Sequence, residues 1–326
     1  MADKGSIDWK EWRRAVLAGA GAGCATAFVT CPMDVVKTRL QSQSIPKHSN
    51  PPNIIIQSIL MSANGNGQPS KYAPYKGTVP SLRRIFREEG IKGLYRGLVP
   101  TLIGYLPAHA IYFSVYTTSK TVLGARFPDL FKPGSSLNHI FAAMMGGAVA
   151  ATATNPLWVI RTRLMTQFPG RTAFHYHGTW DAARQIWLKE GFKGMYRGLG
   201  PSLLGLIHVA VQFPLYERMK RYLNGQEPTT DKVSLMKNVL VASTVSKVTA
   251  SLATYPHEVL RTRLQRESRP DHEAKYKGIV QGAKLIWKEE GPFGFYRGLT
   301  TTILRVVPAS AVTLISFELL VNYMPV

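Results

Sequence analysis

The sequence predicts an all-α membrane protein of six transmembrane helices, arranged as three pseudo-threefold repeats with short amphipathic helices between the spans. Three observations predict it. Six weakly apolar segments, about 12–42, 97–122, 137–166, 198–223, 235–264 and 298–323, are rich in Gly, Ala, Ser and Thr, and each holds an interior proline. A Tyr-Arg-Gly-Leu motif recurs at Tyr95, Tyr196 and Tyr296, spaced 101 and 100 residues apart. A proline-led motif recurs as "CPMDVVKTRLQ" at 31–41, "NPLWVIRTRLM" at 155–165 and "YPHEVLRTRLQ" at 255–265.

No segment offers the ~18 uninterrupted apolar residues of a helix surrounded by lipid. Small residues instead allow close helix–helix approach. Interior prolines are tolerated where neighbours or a wet cavity satisfy the freed backbone groups. Half-apolar spans of this kind surround a polar interior. Between the paired spans, each repeat carries an aromatic-x-Gly (75–77, 176–178, 276–278) and a short amphipathic helix ending in Glu-Gly ("RIFREEG", "QIWLKEG", "LIWKEEG"). Such self-similarity sets the architecture. The repeats fall at 10–123, 133–224 and 233–324. Residues 43–74, rich in Ser, Asn, Pro and Gly, read as a flexible insertion in the first.

The opening "MADKGSIDWKEWRR" is polar and predicts no secretory segment. A net charge of +21 implies an anionic partner. Charge spread along membrane segments does not suit nucleic-acid binding, which needs clustered surface Lys and Arg on soluble domains. Cys24 and Cys31 have no further Cys or nearby His to build a metal site, so buried thiols are expected. No nucleophile–base–acid set or phosphate-cradling loop is present, which argues against an enzyme.

In two proline motifs an acid precedes a base by three residues, Asp34 with Lys37 and Glu258 with Arg261; in the middle copy Trp158 stands at the acid position before Arg161. The proline kink makes the three following half-helices converge. Ionisable groups within membrane spans are costly unless paired or facing water. Symmetric positions beside a kink therefore suit a ring of exchangeable ion pairs.

Pro-x-[Asp/Glu]-x-x-[Lys/Arg]-x-[Lys/Arg], recurring three times at this spacing with Trp158 in place of the middle acid, resembles the mitochondrial carrier family across nearly the whole chain. That resemblance implies a multi-pass transporter of the mitochondrial inner membrane that alternates between cytoplasmic-open and matrix-open states, with its short helices on the matrix side. It implies a matrix gate of Asp34, Lys37, Gln41, Trp158, Arg161, Glu258, Arg261 and Gln265. In that gate Asp34 pairs with Arg161 and Glu258 with Lys37, while Arg261 meets Trp158 by a cation–π contact. Gln41 and Gln265 match the family's glutamine brace, and Met165 breaks it. A cytoplasmic gate is implied at Lys120, Glu217, Lys220 and Glu318, with Lys120–Glu217 and Lys220–Glu318 as its pairs.

Counting from the Tyr-Arg-Gly motifs, the family's substrate contacts fall at Gly104, Tyr105, Gly205, Leu206 and Arg305. The fourth segment is one residue shorter than its siblings here, so its register can shift by one. Tyr112, Gln212 and Thr313 lie farther along similar faces, and His208 and Lys247 are polar residues inside apolar segments. Permanent cations suit phosphate, and aromatic plates beside a glycine suit a flat base, so a nucleotide is favoured over a small acid or a proton. Trp158 at the acid position marks the branch that carries NAD, FAD, folate and pyrimidine nucleotides, and this chain is most similar to its mitochondrial NAD carriers. The expected function is exchange of NAD⁺ for an adenine or related nucleotide. Pyrimidine nucleotide, FAD or folate transport is the alternative within the branch, peroxisomes and plastids are alternative organelles, and a non-transporting membrane scaffold is the alternative of another class. A monomer is expected, with bound cardiolipin at the Tyr-Arg-Gly helix starts and neither metal nor other cofactor.

Overall fold

The structure, a computed structural model, describes residues 9–44, 74–75, 77–132, 135–167, 176–224, 232–266 and 275–323. Most of the 43–74 insertion lies outside the described residues, as does the side chain of Glu318. Among the described residues there is no strand. The helices are α1 (Trp9–Ser42), α2 (Thr78–Leu94), α3 (Leu98–Arg126), α4 (Ser136–Thr166), α5 (Thr179–Met195), α6 (Leu199–Leu204), α7 (Ile207–Asn224), α8 (Lys232–Gln265), α9 (Ile279–Glu290) and α10 (Leu299–Tyr323). A 3₁₀ turn, Pro292–Tyr296, precedes the last.

The six spans are α1, α3, α4, the α6–α7 pair, α8 and α10. Among the described residues, five helical segments are long and apolar enough to cross a membrane; α8 does not reach that hydropathy. It is a span by its place in the ring. The spans neighbour one another in the order α1, α3, α4, α7, α8, α10 and back to α1. Pro32, Pro156 and Pro256 lie within α1, α4 and α8. Beyond them these three helices also touch one another, so the ring is closed at this end.

Each C-terminal half at the closed end packs on its own short helix. Val35 and Val36 meet Ile85, Val159 and Ile160 meet Ile186, and Val259 and Leu260 meet Ile286, all buried. Burying each such side chain contributes about 1.5–3 kcal/mol. The short helices turn their other face outward, exposing Phe86, Trp187 and Trp287. The Glu-Gly glycines kink α2 and α5 and end α9, with φ of 66°, 61° and 71° at Gly90, Gly191 and Gly291, a backbone region that costs side-chain-bearing residues strain.

The fourth span is broken where the sequence is one residue short. The amides of Leu206, His208 and Val209 bond three residues back, to Leu203, Gly205 and Leu206, each at 3.0 Å. A 3₁₀ turn uses about three residues where the α-helix uses 3.6, so tightening here absorbs the missing residue.

Candidate gate and binding site

Two charged layers cross the closed end. The lower is built from the second base of each proline motif. Arg39, Arg163 and Arg263 pair with the Glu-Gly glutamates Glu89, Glu190 and Glu290, each at 2.5 Å, with arginine side chains 0–1% exposed. Arg96, Arg197 and Arg297 of the Tyr-Arg-Gly motifs reach the same glutamates at 3.2, 3.5 and 2.5 Å. Tyr75 and Tyr276 each accept a bond at 3.0 Å, from Arg39 and Arg263. Each buried arginine also donates to a carbonyl at the end of the next repeat's kinked helix: Arg39 to Met165 (3.0 Å), Arg163 to Gln265 (3.4 Å) and Arg263 to Gln41 (3.0 Å). Helix C-termini leave such carbonyls unbonded and favour cations. Burial alone would raise the Glu190 carboxyl, but the bond and charge of Arg163, with Arg197, hold it below its ordinary range.

The upper layer holds the predicted gate. Lys37 Nζ lies 2.6 Å from Glu258, and Arg161 lies 2.8 Å from Asp34. Gln41 donates to the Tyr255 hydroxyl at 2.9 Å and to Glu258 at 3.4 Å, and accepts from Thr262 at 2.8 Å. Gln265 accepts from Thr162 at 2.9 Å, yet its buried Nε2 has no acceptor. Met165 takes only a Thr38 hydroxyl on its sulfur, at 3.6 Å. The guanidinium carbons of Arg161 and Arg261 lie 5.2 and 5.9 Å from the Trp158 ring, whose Nε1 donates to Thr154 at 3.0 Å. Arg261 makes no ion pair or hydrogen bond among the described residues.

Above this ring, Arg305, the permanent cation expected at the substrate site, lies 2.7 Å from the second oxygen of Asp34. Tyr105 meets Trp158 edge-on at 6.4 Å and 87°. Lys247 is half-buried, with the like charges of Arg305 and Lys37 bearing on it. Arg305, Lys247 and Tyr105 thus converge over the gate.

The other predicted contacts scatter. Gly104 is buried against Leu157. A Cβ on Gly205 would come within 2.7 Å of His257 Nε2, and one on Gly147 within 2.7 Å of the Leu206 side chain. These three residues serve helix contacts with α4 and α8. His208 bonds Thr254 across to α8 at 3.0 Å, and Thr313 bonds Thr26 across to α1 at 2.8 Å. Tyr112 stacks on Tyr116 at 5.9 Å, farther toward the open end. Gln212 is half-buried on α7. Cys31 is buried as expected, whereas Cys24 is only partly so.

At the open end the Lys120–Glu217 pair is not formed. Glu217 instead accepts from Ser136 at 3.2 and 3.3 Å and from Arg221 at 3.5 Å. The physical reason is the splay of this end: α3 and α7 share no substantial contact, whereas α1, α4 and α8 converge at the closed end. Lys220 is exposed, and Glu318, its expected partner, lies outside the described side chains. Among the described residues, bonds at this end join only neighbouring spans, so the axis is open here and closed at the charged layers.

Sequence reasoning missed the lower layer, although its signal was on view. The second base, the Glu-Gly glutamate and the Tyr-Arg-Gly arginine each recur three times, as the gate residues do. It also missed Asn155 and His257, which vary between repeats and so give no periodic signal, and Thr154, although that threonine recurs as Thr30 and Thr254.

Six spans from a triplicated unit, closed at one end by charged layers and open at the other, define a membrane transport protein. A family profile described as "Mitochondrial carrier protein" matches residues 8–127, 132–227 and 232–325, and the chain belongs to the mitochondrial carrier family. It is a transporter, not an enzyme, and a multi-pass protein of the mitochondrial inner membrane. It is 42% identical over 306 residues to the mitochondrial nicotinamide adenine dinucleotide transporter 1 of Saccharomyces cerevisiae, covering 93% of this chain and 74% of that one. It is 39% identical over 307 residues to the mitochondrial nicotinamide adenine dinucleotide transporter 2 of Arabidopsis thaliana, covering 94% of this chain and 78% of that one. A mitochondrial pyrimidine nucleotide transporter of the same yeast is 35% identical over 337 residues, covering 96% of this chain and 86% of that one.

Proposed function

We propose that this protein exchanges NAD⁺ for an adenine or related nucleotide across the mitochondrial inner membrane, by alternating access. The closed end is the matrix gate, and the open end faces the cytoplasm. The observation that carries the reading is the convergence of Arg305, Lys247 and Tyr105 above a gate with surplus positive charge. Cations hold the diphosphate, and tyrosine offers a face to a base. The two relatives named as nicotinamide adenine dinucleotide transporters support the choice of dinucleotide. Pyrimidine nucleotide exchange is the second reading, favoured by the yeast relative of that name.

Cardiolipin at the Tyr-Arg-Gly helix starts and a monomeric working unit complete the proposal. Because Arg96, Arg197 and Arg297 are engaged with glutamates, backbone N–H groups at those starts would carry the lipid phosphate.

The test is uptake of labelled NAD⁺ into liposomes carrying the purified protein and loaded with adenine nucleotide, with pyrimidine nucleotides, FAD and folate as competitors. Arg305→Ala abolishes exchange, whereas Arg305→Lys retains part of it. Undiminished exchange by Arg305→Ala refutes the site, and stronger competition by pyrimidine nucleotides selects the second reading.

A further inference from the structure

The three seams of the gate ring differ in acceptors. On the seam between the third and first repeats, Lys37 has Glu258 at 2.6 Å. On the seam between the first and second, Arg161 has Asp34 at 2.8 Å. On the seam between the second and third, Arg261 has only the face of Trp158, at 5.9 Å. Asp34 has both oxygens engaged, one by Arg161 and the other by Arg305 at 2.7 Å, and Glu258 is committed to its own seam through Oε2, held by Lys37 and Gln41.

Unmatched donors collect on this seam. Arg261 has no acceptor among the described residues, and the buried Nε of Arg161 and buried Nε2 of Gln265 have none either. Asn155 Oδ1, an unmatched acceptor on α4, is neutral, and its amide is tied to Met195 of its own repeat. A Trp face attracts a cation but takes no in-plane guanidinium hydrogen bond. Unpaired cations inside a membrane protein are costly. Around the ring and just above it, Lys37, Arg161, Arg261, Arg305 and Lys247 face only Asp34 and Glu258. The vacancy in the charge pattern calls for a group with negative charge and several acceptor oxygens.

We propose that Arg261 is a substrate contact: a phosphate of the transported nucleotide occupies the place that a carboxylate holds on the other two seams. The substrate thereby supplies the third acid of the gate, and specificity for a diphosphate-bearing molecule follows from a residue the other repeats use only for closure. This rests on the proposed nucleotide exchange and adds Arg261 to its site.

The experiment uses the full chain in two formats. In detergent, thermal shift is measured with inorganic pyrophosphate, with NAD⁺ and with phosphate-free nicotinamide riboside. In liposomes, KM for NAD⁺ is measured. Pyrophosphate and NAD⁺ stabilise the wild type and the riboside does not, since a ligand stabilises the state it binds. Arg261→Gln loses the pyrophosphate shift and raises KM at least about tenfold, the scale of one charge-assisted contact; Arg261→Lys keeps part of both. Trp158→Asp, which gives Arg261 an internal partner, also loses the pyrophosphate shift, and it carries the test if Arg261→Gln does not fold. A wild type blind to pyrophosphate, or a shift and KM unchanged in both variants, overturns the proposal. The two readings separate cleanly. NAD⁺ exchange with a KM indifferent to Arg261 sinks this contact alone. An Arg261-dependent pyrophosphate shift in a protein that ignores NAD⁺ sinks the choice of NAD⁺ alone.

Discussion

The two charged layers at the closed end are built from bases only two residues apart, yet they follow different rules. In the lower layer Arg39, Arg163 and Arg263 each find a glutamate, a second arginine and a helix-end carbonyl, and the pattern closes in all three repeats. In the upper layer Lys37, Arg161 and Arg261 find two carboxylates and a tryptophan. The ion pairs of the lower layer tie each kinked helix to its own short helix, and only its carbonyl bonds cross to the next repeat. The upper layer joins different repeats, and on the proposed mechanism those contacts must break each time the matrix side opens. Completeness suits the first task, and a missing pair suits the second.

Within the upper layer no two seams match. Lys37–Glu258 has both a pair and a glutamine brace, Asp34–Arg161 has a pair with Met165 in place of the brace, and Arg261 has the glutamine Gln265 without a pair. A gate graded in this way opens most easily where it is weakest, between the second and third repeats.

The contrast between layers can be broken at its strong side first. Glu290→Ala strands Arg263 and Arg297 where the Arg263 and Glu290 side chains are 0% exposed. Breaking a buried pair by removing one partner costs about 3–5 kcal/mol. A large drop in melting temperature in detergent is expected; a drop no greater than that of an exposed-site control would remove the distinction between the layers.

A smaller effect probes the loosest copy of the same layer, Glu190, whose side chain is 25% exposed. Its carboxyl is held below the ordinary value near 4.5, so its contribution to stability is present above that value and lost as pH falls through the lower folded value. The melting-temperature gap between wild type and Glu190→Gln should therefore shrink on acidification below pH 4.5. A gap that widens toward acid would contradict the assigned ion pair.

The spans were legible in the sequence because glycine-rich, proline-kinked segments recur beside fixed motifs; the one-residue deficit in the fourth span signalled a shift of register, and the structure takes it up as a break at Gly205 and Leu206. Pairings across the ring were legible only where a symmetric motif named both partners. Lys120 and Glu217 share the right chemistry, but the chain alone does not show that their helices stand apart at this end. The Arg305–Asp34 pair was not legible because nothing in a one-dimensional pattern places the two together, two repeats apart. Gly104 and Leu206 were placed on the cavity by counting, while side-chain direction turns them into helix contacts.

The unpaired seam is the centre of the account, and Trp158→Asp tests it most directly. An aspartate there completes the third ion pair, stabilises matrix-side closure and makes each opening more costly. The maximal rate of exchange in liposomes, measured at saturating substrate so that binding is not limiting, should fall several-fold below wild type. A maximal rate equal to or above wild type would contradict the role given to this seam.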